Sequence, residues 1–181
     1  MVKPSKPQPM KPIIAILAIL CCPIFAFCQD ITGLWKGSIY NDVTQQTLQY
    51  EVLVSKNDHG KYSAVSHTWF LINDKKYYGI KKVDVRIAKD GKIVLQDAEL
   101  IANNYPDPSP KPALQLNVLD MSNAGGDANL EGPFHTIRTK EYSVSLTGHI
   151  NLKKTSLLAQ SDLLDYLQKN NKENTLTAAV K

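Results

Sequence analysis

Residues able to do chemistry are thinly spread along this chain. The four histidines, His59, His67, His135 and His149, are never two, three or four positions apart. No local pair can chelate a metal, and a site would have to be assembled across strands. Asp97 and Glu99 lie two apart in a strand-like run, which would place both carboxylates on one face roughly 7 Å apart. That spacing falls within the range used by inverting glycosidases, but an outer barrel face also carries such pairs, and solvated charges are far commoner. Ser66 and His67 are adjacent, so in a strand they point to opposite faces and form no nucleophile–base pair. Gly125-Gly126 lacks the Gly-Lys-Ser/Thr ending of a phosphate loop and reads as a turn. Lys75-Lys76-Tyr77-Tyr78 with Lys81-Lys82 interleaves bases and aromatics, as single-strand nucleic-acid binders do.

The charge balance argues against that last reading. The chain has 181 residues with 21 Lys+Arg against 17 Asp+Glu. Residues 1–28 carry Lys3, Lys6 and Lys11 and no acid, so without them the count is 18 against 17, a net charge of +1. A general polyanion binder carries a stronger positive field. Neither a nucleic-acid partner nor a cofactor is expected.

The head of the chain reads as a secretory signal peptide: a basic lead, an apolar run from Ile13 to Phe27 broken by Pro23, and a polar continuation. The run falls short of the ~20 apolar residues of a spanning helix. Ala26 and Cys28 fit a small-x-small cleavage pattern, leaving Gln29 first; lipid anchoring through a cysteine is the competing reading. Cys21, Cys22 and Cys28 all precede Gln29, so the mature chain has no thiolate nucleophile, disulfide or zinc–cysteine site. The expected location is periplasmic or extracellular.

From Leu34 to Leu152 the sequence breaks into eight strand-like runs. Leu48, Tyr50, Val52 and Val54 alternate with Gln49, Glu51, Leu53 and Ser55, a period of two. Val144 to Leu152 repeats it, and Leu114, Leu116 and Val118 alternate in the sixth run. In the fourth run Tyr78 and Ile80 have the opposite parity to Val83 and Val85, which a β-bulge near Lys81-Lys82 would reconcile. Asn57 to Gly60 and Asn73-Asp74 read as turns, and Asp90-Gly91 as a tight two-residue hairpin turn. Asn103 to Pro112 is a proline-rich loop. Leu157, Leu163, Leu164 and Leu167 take helical spacing behind a Thr155/Ser156 cap. The expected order is a signal peptide over 1–28, an all-β domain over 29–155 forming an eight-stranded antiparallel up-and-down barrel, an amphipathic C-terminal helix over 156–169 packed on it, and a polar tail over 170–181.

Thr32-Gly33-Leu34-Trp35, opening the first strand, resembles the Gly-x-Trp of the calycin barrels: lipocalins, fatty-acid-binding proteins and avidins. A helix after the eighth strand is also similar to lipocalins. The late arginine that packs across the lipocalin tryptophan has no counterpart, since Arg138 falls in a loop. The mature chain further resembles small secreted bacterial proteins of unknown function that begin GxWxG and end GxIxLxK, here Gly148-His149-Ile150-Asn151-Leu152-Lys153. The resemblance implies a barrel with a small apolar ligand in its mouth.

An eight-stranded barrel either fills with side chains or holds one small ligand. Trp35, Tyr50, His67, Trp69 and Tyr78 are the candidate ligand-binding residues, with Trp35 closing one end. The expected function is non-enzymatic binding of a small hydrophobic or amphipathic ligand by an exported protein. The alternative is a cell-envelope interaction or structural module with a filled barrel.

Overall fold

The computed structural model describes residues 30–105, 113–124, 126–137 and 145–170. The expected signal peptide, most of the proline-rich loop, the first residues expected in the eighth strand and the tail beyond Asn170 lie outside them. No helix among the described residues is long and apolar enough to cross a membrane.

Eight antiparallel strands close into a barrel in sequence order. They are β1 (Gly33–Asn41), β2 (Gln46–Lys56), β3 (Tyr62–Ile72), β4 (Lys75–Ile87), β5 (Ile93–Asn103), β6 (Leu114–Ala124), β7 (Asp127–Ile137) and β8 (Thr147–Thr155). β1 pairs with β2 on one side and β8 on the other, from Leu34↔Thr155 to Asn41↔Gly148. The expected all-β barrel with one C-terminal helix is therefore the observed architecture.

The turns follow local chemistry, with one exchange of roles. Asn73 and Asp74 both take positive φ (49° and 59°) between the paired residues Ile72 and Lys75. That is the two-residue turn whose twist suits a hairpin. Asp90-Gly91 is not one. There Ala88 and Lys92 close a three-residue loop in which Gly91 has φ 85° and Asp90 does not have positive φ.

Inward-facing side chains fill one half of the barrel. Trp35, Val52, Val54, Ala64, Val83, Ile93, Leu95, Leu119, Leu130 and Leu152 form one buried cluster. Trp35 plugs that end: its indole N–H donates to the Ile31 carbonyl at 2.9 Å, and the Lys154 ammonium lies 5.8 Å from its ring centre.

A second apolar cluster lies on the outer wall. The helix α1 (Asp162–Lys169) buries Leu163, Leu164 and Leu167 against Leu34, Leu53, Val65 and Ile80. The helix starts later than its apolar spacing implies, because β8 runs on to Thr155 and Ser156–Gln160 forms a turn that leaves Leu158 exposed. The cap is Ser161, whose hydroxyl accepts from the Leu164 N–H at 3.2 Å. Glu51 on β2 clasps the same end: Oε2 accepts from the Ser161 hydroxyl at 2.7 Å and the Leu163 N–H at 3.0 Å, and Oε1 pairs with Lys36 at 3.0 Å. A carboxylate there also meets the positive end of the helix dipole.

The outer cluster explains the parity change in β4. The β3–β4 register is continuous from Ser63↔Asp84 to Ile72↔Lys75. Val83 packs inside while Tyr78 and Ile80 pack outside toward the helix. The irregularities near Lys81-Lys82 instead place the extra residues in β5, at Ala98 and Ile101. The Ala98 bulge sends Asp97 inward, opposite Val83, and Glu99 outward, opposite Lys82. The two carboxylates therefore do not share a face.

Candidate functional site

Strand ends define two rims. The rim opposite Trp35 gathers the β1–β2, β3–β4, β5–β6 and β7–β8 connections. Below it the barrel interior changes from apolar to polar. Tyr50, Ser66, Asp97, Gln115 and Asn117 are all buried and share the inner face. They form a floor, and half-buried Leu48, Thr68, Phe70, Tyr77, Leu100 and Tyr105 rise around it as a wall.

The floor is a connected network. The Gln115 side-chain amide donates to Asn117 Oδ1 at 2.7 Å, and the Asn117 amide donates to the Tyr50 phenol oxygen at 3.4 Å. Burial pushes the Tyr50 phenol well above its ordinary range, and the Asp97 charge adds to this; Asn117 and the neighbouring Ser66 oppose it weakly. The Ser66 hydroxyl itself has no hydrogen bond of normal geometry among the described residues.

Asp97 sits where the barrel wall parts. The β5–β6 ladder covers only Ile93–Gln96 against Leu116–Leu119. Beyond it, Asp97 Oδ2 accepts from the Gln115 backbone N–H at 3.0 Å and pairs with the Lys81 ammonium, which also donates to the Ala113 carbonyl at 3.3 Å. The pair thus satisfies backbone groups that the ladder leaves behind. Burial raises the Asp97 pKa, and Lys81 together with the Gln115 N–H offsets part of that rise. At the rim, Tyr105 turns back over Gly79, where a Cβ would collide with its hydroxyl, and meets the Phe70 ring edge-on at 5.0 Å. Burial, then Asp97, raises its pKa.

No family model, no curated protein and no solved structure matches this chain.

The five residues expected to bind ligand divide between the two faces. Trp35 and Tyr50 point inward, and Trp35 lies beneath the packed half. His67, Trp69 and Tyr78 point outward, because Tyr50 pairs with Thr68 and Val52 with Ser66, which puts the inner face of β3 on the other parity. The His67 ring stacks on Trp69 at 3.8 Å and meets Tyr78 edge-on at 5.3 Å, with Lys76 over Trp69. Both His67 ring nitrogens are buried without a hydrogen-bond partner among the described residues. Burial lowers its pKa, Glu51 and Asp162 oppose the change, and Lys76 adds to it.

The floor residues were concealed by their neighbours. In β6 the alternating Leu114, Leu116 and Val118 face outward and Gln115, Asn117 and Leu119 face inward. The available signal was Leu119 and Met121, which carry the parity of Asn117 into the core. Among the described residues, no group of three His, Cys, Asp or Glu side chains could hold a metal.

Proposed function

We propose that this protein is an exported, non-enzymatic barrel that binds one small amphipathic molecule in its mouth. The observation that carries the reading is a polar floor under a partly aromatic wall, built inside a barrel whose opposite half is filled. Buried polar groups are costly unless satisfied, and a filled barrel would be simplest with apolar residues throughout. Here they lie beneath half-buried inner side chains at the rim opposite Trp35. The reading puts the ligand in the mouth, because packed side chains occupy the interior around Trp35.

Native mass spectrometry of gently purified protein, with titration of the neutral fluorophore N-phenyl-1-naphthylamine, tests this. A co-purifying mass or a saturable fluorescence gain lost in Tyr105→Ala and Phe70→Ala supports it. Absence of both removes it. The packed Trp35 half favours a second reading, an envelope interaction module. That reading expects crosslinking to a defined protein partner and no small-molecule response.

A further inference from the structure

We propose that the polar group taken by this mouth is uncharged: a hydroxyl, carbonyl or amide on a ring or short apolar body. The inference rests on the ligand-binding reading above and narrows it to a chemical class.

Charge is balanced within the buried part of the mouth. Above the Trp35 layer and below the rim, Lys81 and Asp97 are the only charged side chains of inward parity among the described residues; Lys75, of the same parity, is solvent-exposed at the end of β4. They neutralise each other. Asp97, 3% exposed, uses one oxygen for both Lys81 and the Gln115 N–H. Lys81, with a side chain 14% exposed, also holds the Ala113 carbonyl. An anionic head group that drew Lys81 away would leave Asp97 buried and unpaired, and a cationic one drawing on Asp97 would do the same to Lys81. Stranding one partner of a buried pair costs more than the new contact returns.

The remaining floor groups are neutral and of both polarities. Asn117 and Gln115 offer amides, and Tyr50 and Ser66 offer hydroxyls. The Ser66 hydroxyl, fully buried beside Tyr50 and without a hydrogen bond of normal geometry among the described residues, is the group that a ligand hydroxyl or carbonyl would complete. Tyr50 stays a neutral phenol because burial disfavours its anion. Phe70, Tyr77 and Tyr105 supply ring faces and edges for a flat apolar body.

Three probes that share one ring separate the possibilities: 2-naphthalenemethanol, 2-naphthoate and 2-naphthylmethylammonium, titrated into full-length protein at neutral pH. Side-chain amide shifts of Asn117 and Gln115 are followed by NMR. The alcohol is expected to bind at least about tenfold more tightly than either ion and to move both amides. Asp97→Asn, which leaves Lys81 uncompensated, should shift the preference toward naphthoate by about tenfold or more. Lys81→Gln should shift it toward the ammonium, and serves if Asp97→Asn does not fold. Naphthoate or the ammonium binding wild type as tightly as the alcohol overturns the inference and leaves the ligand-binding reading standing. So does a folded variant with unchanged preference. No saturable binding by any of the three removes both.

Discussion

Replacing Glu51 with alanine should loosen α1 while leaving the barrel intact. The carboxylate carries two helix-end hydrogen bonds, from Ser161 and Leu163, and one ion pair with Lys36. A hydrogen bond to a charged acceptor contributes about 1.5–3 kcal/mol. The Lys36 pair is discounted to at most about 1 kcal/mol because Lys36 is nearly one-third exposed. Removing Glu51 also removes the cost of burying its charge, so the net loss comes to about 2–4 kcal/mol. Ser161 still caps Leu164, and the three leucines still prefer burial, so the helix loosens locally. Native-state amide exchange reads this directly. Protection at Leu163, Leu164 and Leu167 should fall about 30- to 700-fold, while Val52, Val65 and Ile150 stay unchanged. Glu51→Gln keeps an acceptor and should lose about 1 kcal/mol. Helix protection within about twofold of wild type would refute the clasp. A parallel loss in the barrel would show that helix and barrel open as one unit.

Acid should loosen the same helix through His67. Its pKa is lowered in the folded protein from 6.5, so the undocked state binds the proton more readily. Its contribution is complete above pH 6.5 and is lost as pH falls through the folded value. Helix exchange should accelerate over that window, and His67→Phe, which removes two unpaired buried nitrogens, should flatten that component and stabilise the protein by about 1 kcal/mol; a pH profile shared by variant and wild type counts against His67 as the source. Trp35→Ala should cost about 3–5 kcal/mol in denaturant unfolding, and a loss under about 1 kcal/mol would mean the plug is not packed as described. Gly148→Ala drives a Cβ into the Tyr40 carbonyl at the β1–β8 seam and should cost about 1–3 kcal/mol; unchanged thermal unfolding would contradict that close approach.

The barrel was legible because half-buried strands print a period of two. β2 shows it cleanly, with Tyr50, Val52 and Val54 inside as their spacing implies. Which face is inside was less legible wherever both faces are covered. On β3 and β4 the helix buries the outer wall, so Trp69, Tyr78 and Ile80 look like interior residues and are not. On β6 the inward positions near the mouth are polar and the outward ones apolar, so hydrophobicity pointed the wrong way. β5 concealed more, because a bulge leaves no mark in composition, yet Ala98 alone decides that Asp97 enters the barrel and Glu99 does not. The Asn117–Tyr50 contact joins residues far apart in sequence, and no local pattern announces such a pair.

The β1–β8 seam has a consequence for how the chain is made. β1 is one of the earliest elements, yet one of its edges finds its partner only in residues 148–155. Until those arrive, the growing sheet carries two open edges, each a template for another copy. Such long-range closure places folding in the slow, millisecond-to-second regime of β topologies. A chain cut ahead of Thr147 would keep seven strands and most of its apolar core, and should associate rather than stay monomeric. Completion of this barrel is therefore a property of its last strand.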